Sequence, residues 1–455
     1  MEIKEYLKKY KHIHLVGVGG ISMSALAKIC IFCGIKVSGS DIIKSNITQE
    51  LERLGAKIYY IHNENNVVNS DLVVYTSAVG ENNVEVVFAR KNNIKTLERA
   101  DFLHEICGCY KNVIAISGCH GKTTTTAMIG NIFECAGFNP TVHLGGESIN
   151  FNSNLKIGGS DFFITEACEY QKHLLKIPHT VGVVLNIELD HVECYKNFED
   201  LTKTFNNFAL NSIEKSIVNE RYLSFFSNKK NILTFSESHC GDFVAQNIEI
   251  KSGRLFFDCY KKSKFYGKFS LNVCGKHNVY NGLCAIAVAD YFKVKLSDLQ
   301  KGLSTFAGIK RRFEYMGKIN NQIVIHDYAH HPTEIENAMN TARQYFNRKV
   351  LVVFQPHTYS RTKFLFSEFI SKLLYADKIV IFPTYPAREK KQDGYDAKKL
   401  YASLKKINTE TIYFNNYDKV KKYLNKIENH TILILGAGDI ENLAISIKKD
   451  YLAKK

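Results

Sequence analysis

No stretch of about eighteen apolar residues occurs anywhere in the chain, so no membrane-crossing helix and no membrane partner is expected. Residues 1–10 are charged and lack the apolar core of a secretory signal, which leaves a cytoplasmic protein as the expectation. There are 12 cysteines, yet the paired spacing of a zinc module is missing, because Cys30-x-x-Cys33 is followed by no second pair and no histidines at finger spacing. The thiols are scattered and mostly lie in apolar segments, as Cys30, Cys135, Cys274 and Cys284 do, which points to buried, reduced side chains. Basic runs interleaved with aromatics are also missing. The net charge of +15 is spread along the chain, so a solvated basic surface and anionic small-molecule substrates are expected in place of nucleic acid. Finally, no fixed-period repeat or low-complexity tract interrupts the sequence, which excludes a solenoid.

What is present is enough chain for several cores. With 455 residues, 45% of them hydrophobic, and roughly 150 residues per domain, about three domains are expected.

The segment Ser117-Gly-Cys-His-Gly-Lys-Thr-Thr-Thr-Thr126 follows the apolar run at 113–116 and precedes a helix-compatible stretch ending near residue 137. It reads as a strand, a phosphate loop and a helix. Gly118 and Gly121 let the backbone of Gly118, Cys119, His120 and Gly121 turn its N–H groups inward, where the helix N-terminus adds partial positive charge. Lys122 would then sit against the outer phosphates of ATP, and Thr123, with Thr124 behind it, is placed to hold magnesium. The spacing is the short form, since Ile116 stands where the longer pattern has its first glycine.

Upstream, residues 12–27 read as a strand, a glycine-rich turn and a helix. Strands at 35–37, 57–61 and 72–75 with a helix at 48–54 make a small parallel sheet. The turn Gly17-Val-Gly19-Gly20-Ile21-Ser22 is half of a dinucleotide fingerprint, with Ser22 replacing the third glycine, and Asp41 follows where it can accept from a ribose or a base. NAD and a uridine nucleotide both fit these residues. After the phosphate loop come strands at 161–165 and 181–186, an irregular β-rich stretch at 230–275, a helix at 278–291 and a connector at 308–317. Strands at 323–325, 350–354, 378–382 and 431–435 then close a third α/β unit.

Polar residues cluster at strand ends. Glu166 and Glu169 follow one strand, where a carboxylate reaches a phosphate crevice as a metal ligand, although a solvent-exposed loop acid is the alternative, more so at Glu169. Asn186-Ile-Glu-Leu-Asp-His191 follows another. His191 is left between a magnesium or phosphate contact and neither, since hard cations prefer oxygen. Asn278 and Asn281 lie one turn apart on a helix, suited to an adenine edge or to capping. Arg311-Arg312 can close onto phosphates. The clusters at 326–334, with Asp327, Tyr328 and His330, and at 354–361, with Arg361, suit a second polar substrate whose carboxylate Arg361 would grip bidentately.

Taken together, the glycine turn, Gly39-Ser-Asp41, the phosphate loop, Glu166-Ala-Cys-Glu169, Asn186 to His191, His277-Asn278 with Asn281, Arg311-Arg312, Asp327 to Glu334, Phe354-Gln-Pro-His357 and Gly436-Ala-Gly-Asp439 resemble the Mur ligase family over nearly the whole chain. The resemblance implies an α/β protein of three domains: a Rossmann-like sugar-nucleotide domain at 1–106, a central phosphate-loop ATPase-like domain at 107–316 and a Rossmann-like amino-acid domain at 317–455. It implies a ligase that joins L-alanine to the lactyl carboxylate of UDP-N-acetylmuramate through an acyl phosphate, using ATP and magnesium, as a monomer or homodimer. Lys122, Glu166, His191, Arg312 and Asp327 would be catalytic, and Thr123, Glu166 and His191 would organise the metal. Asn278 and Asn281 would contact adenine. Gly19, Gly20, Ile21, Ser22, Asp41 and Ser77 would hold the sugar nucleotide, and Tyr328, His330 and Arg361 the incoming alanine. Cys119, Cys168, His326, Thr358 and Val84 depart from the family's commonest residues. A ligase adding a whole tripeptide, a nicotinamide dehydrogenase and a nucleotide sensor are the rivals.

Overall fold

A computed structural model of the chain describes residues 2–188, 194–236, 238, 240–251, 253–387, 389–390 and 394–453. Three sheets form, carried in two compact units: residues 1–249, 256–272 and 278–308 make one, and residues 250–255, 273–277 and 309–455 the other.

The first sheet has five strands in the spatial order Lys57–Tyr59, Lys36–Ser40, His12–Val16, Leu72–Tyr75, Lys95–Glu98, all parallel. Strand order reverses on either side of His12–Val16, so the loop leaving its C-terminal end lies at a switch point, where open α/β sheets bind ligands. That loop is the glycine turn. A buried polar network stands behind it. Glu85, at the start of the helix Val84–Lys91, accepts from Ser40 Oγ at 2.5 Å and Asn66 Nδ2 at 2.6 Å, and pairs with His62 Nδ1 at 2.9 Å. Burial alone would raise its pKa, but the His14 ring, with the Ser40 and Asn66 donors, pulls it down to about 2.

The central sheet has ten strands. Asn112–Ser117 lies between Phe162–Glu166 and Val181–Val184 and runs parallel to both. The 230–275 stretch proves more regular than its sequence suggests: Ile232–Ser236, Phe243–Lys251, Arg254–Lys261 and Lys264–Leu271 extend this sheet to one edge, while Thr141–Ser148 and the antiparallel Ser153–Lys156 extend it to the other. One continuous apolar core serves both sheets, containing Ile13, Leu26 and Phe102 together with Val113, Phe163 and Phe205.

In the second unit six strands pair in the order Glu314–Ile319, Gln322–Asp327, His430–Leu435, Lys349–Phe354, Lys378–Ile381, Thr411–Tyr413, with only the first pair antiparallel. Both faces are covered: Val350, Val352 and Phe354 enter one core, and Leu351 and Val353 the other. The expected connector at 308–317 is shorter than its sequence implied, because from Glu314 onward it is already an edge strand. Among the described residues no disulfide forms, and Cys30, Cys107, Cys259 and Cys284 are buried thiols. No helix among the described residues is long and apolar enough to cross a membrane.

Candidate active site

The phosphate loop leaves the C-terminal end of Asn112–Ser117 in mid-sheet. Strand register sets Ile116 beside Glu166 on one side and Ser117 beside Val184 on the other. Gly118 has φ +128° and Gly121 φ +85°, backbone that L-residues rarely adopt. A β-carbon on Gly121 would stand 2.6 Å from Asn281 Oδ1. The loop therefore packs closely against the helix His277–Tyr291, and Asn281 in turn donates to Asn278 Oδ1 at 2.9 Å.

Asn186 clamps the loop from the other side. Its side-chain oxygen Oδ1 accepts from the His120 amide at 2.8 Å, and its side-chain Nδ2 donates to the His120 carbonyl at 2.9 Å. Cys119 Sγ is engaged by the Glu188 backbone, at 2.9 Å to the carbonyl and 3.2 Å to the amide. Beyond Gly121 begins the helix Lys122–Cys135, with no side chain capping its first turn. Its open N–H groups and dipole suit an anion. Thr123 is buried at that turn and Thr124 is half-buried.

Lys122 points back into the loop. Its ammonium donates to the carbonyls of Gly118 at 2.6 Å and Cys119 at 3.2 Å, and pairs with Glu169 at 2.8 Å. Burial would lower its pKa, but the Glu169 carboxylate more than offsets this and holds it above the ordinary lysine value. Glu169 is only 3% exposed. The sequence alternative of a solvated loop acid at that position is thus replaced by a buried ion pair.

Glu166 ends its strand with its carboxylate accepting from the Gly145 amide, and a β-carbon on Gly145 would meet both Glu166 oxygens at 2.9 Å. The Glu166 carboxylate at the strand end and the Thr123 hydroxyl in the first turn of the helix after the loop are oxygen donors of the kind a hard divalent cation takes. These residues fit magnesium. His191, the third expected ligand, lies outside the described residues.

At the glycine turn the amides of Gly17 and Val18 donate to Ser40 O at 2.8 and 3.1 Å. Asp41 accepts from Gly19 N at 2.9 Å and from Ile43 N at 3.0 Å, so its carboxylate braces the turn itself. Gly20 precedes the helix Ile21–Phe32, which also lacks a side-chain cap. Ser22 Oγ lies 3.0 Å from His143 Nε2. Ser77 opens the short turn Ser77–Val79 after the neighbouring strand Leu72–Tyr75, whose Tyr75 is in register with Val16.

The second unit gathers its own polar group. Asp327 ends a strand and accepts from Phe313 N at 2.7 Å and Ala329 N at 2.8 Å. Burial pushes its pKa up to about 6, against the opposing pull of Arg312. Arg312 reaches Glu334 at 3.5 Å, and Arg311 and Arg312 lie over the Tyr328 ring at 4.6 and 5.1 Å. His330 Nδ1 meets Tyr328 O at 2.9 Å, and its ring lies 5.8 Å from that of His357. Arg361 donates to His357 O at 3.2 Å. Tyr328, His330 and Arg361 are therefore brought together, with His357 as the joint between them.

Sequence reasoning gave no role to Asn186, His143 or His357, and weighed Glu169 as a metal ligand or a solvated loop acid, not as the partner of Lys122. Asn186 and Glu169 carried the same signal as their neighbours, a polar residue just past an apolar strand. His143 carried none, sitting inside a strand whose sequence shows no alternation.

A glycine phosphate loop at mid-sheet with a carboxylate on the adjacent strand end defines a nucleotide-binding α/β protein of the phosphate-loop class. Family models match the chain in three consecutive pieces: Mur ligase family, catalytic domain at residues 12–111, Mur ligase middle domain at 116–289, and Mur ligase, glutamate ligase domain at 311–438. The chain belongs to the Mur ligase family, whose members use ATP. It is 42% identical over 445 residues to the UDP-N-acetylmuramate–L-alanine ligase of Clostridium botulinum (strain Okra), covering 95% of this chain and 96% of that one. The enzyme of the same description from Clostridium novyi is 40% identical, covering 94% and 95%. Among solved structures, the UDP-N-acetylmuramate-alanine ligase of Thermotoga maritima matches with TM-score 0.85 and 29% identity, over 98% of this chain and 100% of that one. A murein peptide ligase of Psychrobacter arcticus shares the fold at TM-score 0.69 and 22% identity, over 96% and 98%.

Proposed function

We propose that this protein is an ATP-dependent ligase that joins L-alanine to the lactyl carboxylate of UDP-N-acetylmuramate in the synthesis of peptidoglycan precursors. The observation that carries the reading is the end-to-end 42% identity to a ligase of that description, with the phosphate loop intact. The lactyl carboxylate attacks the γ-phosphorus of ATP and ADP leaves. The alanine amine then attacks the acyl carbon of the resulting acyl phosphate, and inorganic phosphate leaves as the amide forms.

In this reading the protein's main task is to stabilise charge on the transferring phosphoryl group. The backbone of Gly118, Cys119, His120 and Gly121 cradles the phosphates, and Lys122 exchanges Glu169 and the loop carbonyls for phosphate oxygens. Asn278 and Asn281 take the adenine edge. Thr123, Glu166 and His191 would hold magnesium, which would supply positive charge to neutralise the phosphates. Arg312 adds positive charge, and Asp327 keeps the Phe313 backbone beside Arg312 in place. Gly19, Gly20, Ile21, Ser22, Asp41 and Ser77 receive the sugar nucleotide. Tyr328 and His330 line the place of the incoming alanine, and Arg361 binds its carboxylate.

The functional division is proposed as 1–106 for the sugar nucleotide, 107–316 for ATP and 317–455 for the amino acid. The enzyme is proposed to work in the cytoplasm, where ATP is supplied, as a monomer or homodimer, with no nucleic-acid partner. The test is phosphate release from magnesium-ATP with UDP-N-acetylmuramate, with and without L-alanine, and with Lys122→Ala. Release that requires both substrates and disappears in the variant is expected. Release with a tripeptide but not with alanine would replace the reading by that of a tripeptide ligase.

A further inference from the structure

The strand Thr141–Ser148 touches two half-sites through residues two apart. His143 reaches the turn of the first sheet, with Nε2 at 3.0 Å from Ser22 Oγ. Gly145 donates its amide to the Glu166 carboxylate. His143 also has a second route to the same residue. It is the in-register neighbour of Thr165, its Nδ1 lies 2.8 Å from Thr165 Oγ1, and that hydroxyl donates to Glu166 O at 3.2 Å.

One order of donors satisfies every link of this path. Because the Thr165 hydroxyl is spent on Glu166 O, it accepts from Nδ1–H of the ring. Nε2 then accepts from the Ser22 hydroxyl, and Ser22 Oγ accepts from Arg99 Nη1 at 3.5 Å. This order requires a neutral imidazole with its proton on Nδ1. Burial, with Arg99 adding to it, pushes the His143 pKa down to about 4, so the ring is neutral under ordinary conditions. His143 is 3% exposed and Thr165 is fully buried. A broken link inside that dry path leaves a polar atom unpaired.

Docking alone does not account for the residue. The helix Ile21–Phe32 is already tied to the hairpin by Asn154, which donates to Ser24 Oγ at 3.0 Å and accepts from Lys28 Nζ at 2.9 Å. His143 is the member of this contact whose hydrogen bonds continue, through Thr165, to the Glu166 backbone carbonyl, and whose strand carries the Gly145 amide to the Glu166 carboxylate.

We propose that His143 is a positioning residue that couples the sugar-nucleotide turn to the Glu166 carboxylate, so that filling one half-site sets the geometry of the other. It transmits through Ser22 on one side, and through Thr165 and the Gly145 amide on the other. The proposal rests on the assignment of these half-sites given above. Its consequence is reciprocal. Sugar nucleotide and magnesium-ATP must each tighten the other's binding by the same factor.

The experiment measures the affinity of the full-length protein for UDP-N-acetylmuramate by calorimetry, alone and then saturated with magnesium and a non-hydrolysable ATP analogue. For the unaltered chain a ratio of about fivefold or more is expected, the lower end of ordinary coupling. His143→Asn keeps a donor toward Thr165 but cannot reach Ser22. Thr165→Val preserves shape and removes the hydroxyl. Each is expected to bring the ratio to within about twofold of one while the protein stays folded by thermal melting, and the double variant to lose nothing further, as members of one path do. Retention of the full ratio in the folded variants, or a ratio of one in the unaltered chain with both ligands bound, overturns the proposal. Affinities that fall for both ligands with the ratio unchanged mark a structural role only and overturn it as well. Failure of the unaltered chain to bind the sugar nucleotide at all would instead remove the functional assignment, and the coupling with it.

Discussion

Replacing Gly121 by alanine tests the phosphate loop without touching a charged group. The residue sits at φ +85°, ψ −6°, immediately before the helix Lys122–Cys135. Left-handed backbone costs an L-residue about 1–2 kcal/mol. The new methyl would also begin 2.6 Å from Asn281 Oδ1, so that oxygen must retreat by several tenths of an ångström. The 2.9 Å bond between Asn281 and Asn278 is strained by that retreat, a further ~1 kcal/mol. Together about 2–3 kcal/mol stands against the loop geometry that cradles phosphate. Affinity for an ATP analogue should drop by roughly 30- to 150-fold, since 1.4 kcal/mol is tenfold. The two contributions separate in the double variant Gly121→Ala with Asn281→Ala. Removing the asparagine side chain relieves the clash but not the backbone cost, so, measured against Asn281→Ala alone, which lacks the same adenine contact, the backbone penalty of about tenfold should remain. The assay is calorimetric titration of the analogue, with the ligand-free melting temperature recorded alongside. Binding by Gly121→Ala within about twofold of the unaltered chain would refute the reasoning, because the loop would then not need this conformation.

Other predictions follow from the same geometry. Lys122→Met should abolish phosphate release and also destabilise the ligand-free protein by about 3 kcal/mol, since it strands the buried Glu169 carboxylate; denaturant titration checks this, and an unchanged midpoint would mean the pair is worth little. Glu85 has its pKa depressed, so it contributes stability that is fully present above about 4.5 and lost as the pH falls toward about 2. Glu85→Gln should therefore lower the melting temperature at neutral pH, by up to about 3 kcal/mol in free energy, and flatten its decline in acid. Arg361→Lys, which gives up a bidentate grip, should raise KM for alanine about tenfold or more with KM for ATP little changed.

The sequence makes the sheets legible where apolar runs end in turn chemistry. The strand at 72–75 and the phosphate loop both follow that rule. It fails where strands are short or edge-placed, as at Ser153–Lys156 and Lys95–Glu98, whose polar composition matches loops. For the candidate site, Gly118, Gly121, Lys122 and Glu166 are legible because backbone and charge needs limit the residue types at each. The Lys122–Glu169 pair is not. Glu169 lies 47 residues from its partner, and nothing in the sequence says that the chain between them returns to the loop. Asp41 shows the opposite difficulty: the sequence marks it as a ligand contact, while its carboxylate is found holding the Gly19 and Ile43 amides.

The apolar core shared by the first two sheets bears on how the protein comes apart. Ile13, Leu26 and Phe102 belong to the same buried cluster as Val113, Phe163 and Phe205. A fragment cut at residue 106 would therefore carry a raw apolar face formed by Phe102, Leu103 and Ile106, each buried in the whole chain. Such a fragment should aggregate instead of folding. The three family segments then correspond to two melting events in calorimetry, the five-stranded and ten-stranded sheets lost together and the second unit, with cores on both faces of its own sheet, lost on its own.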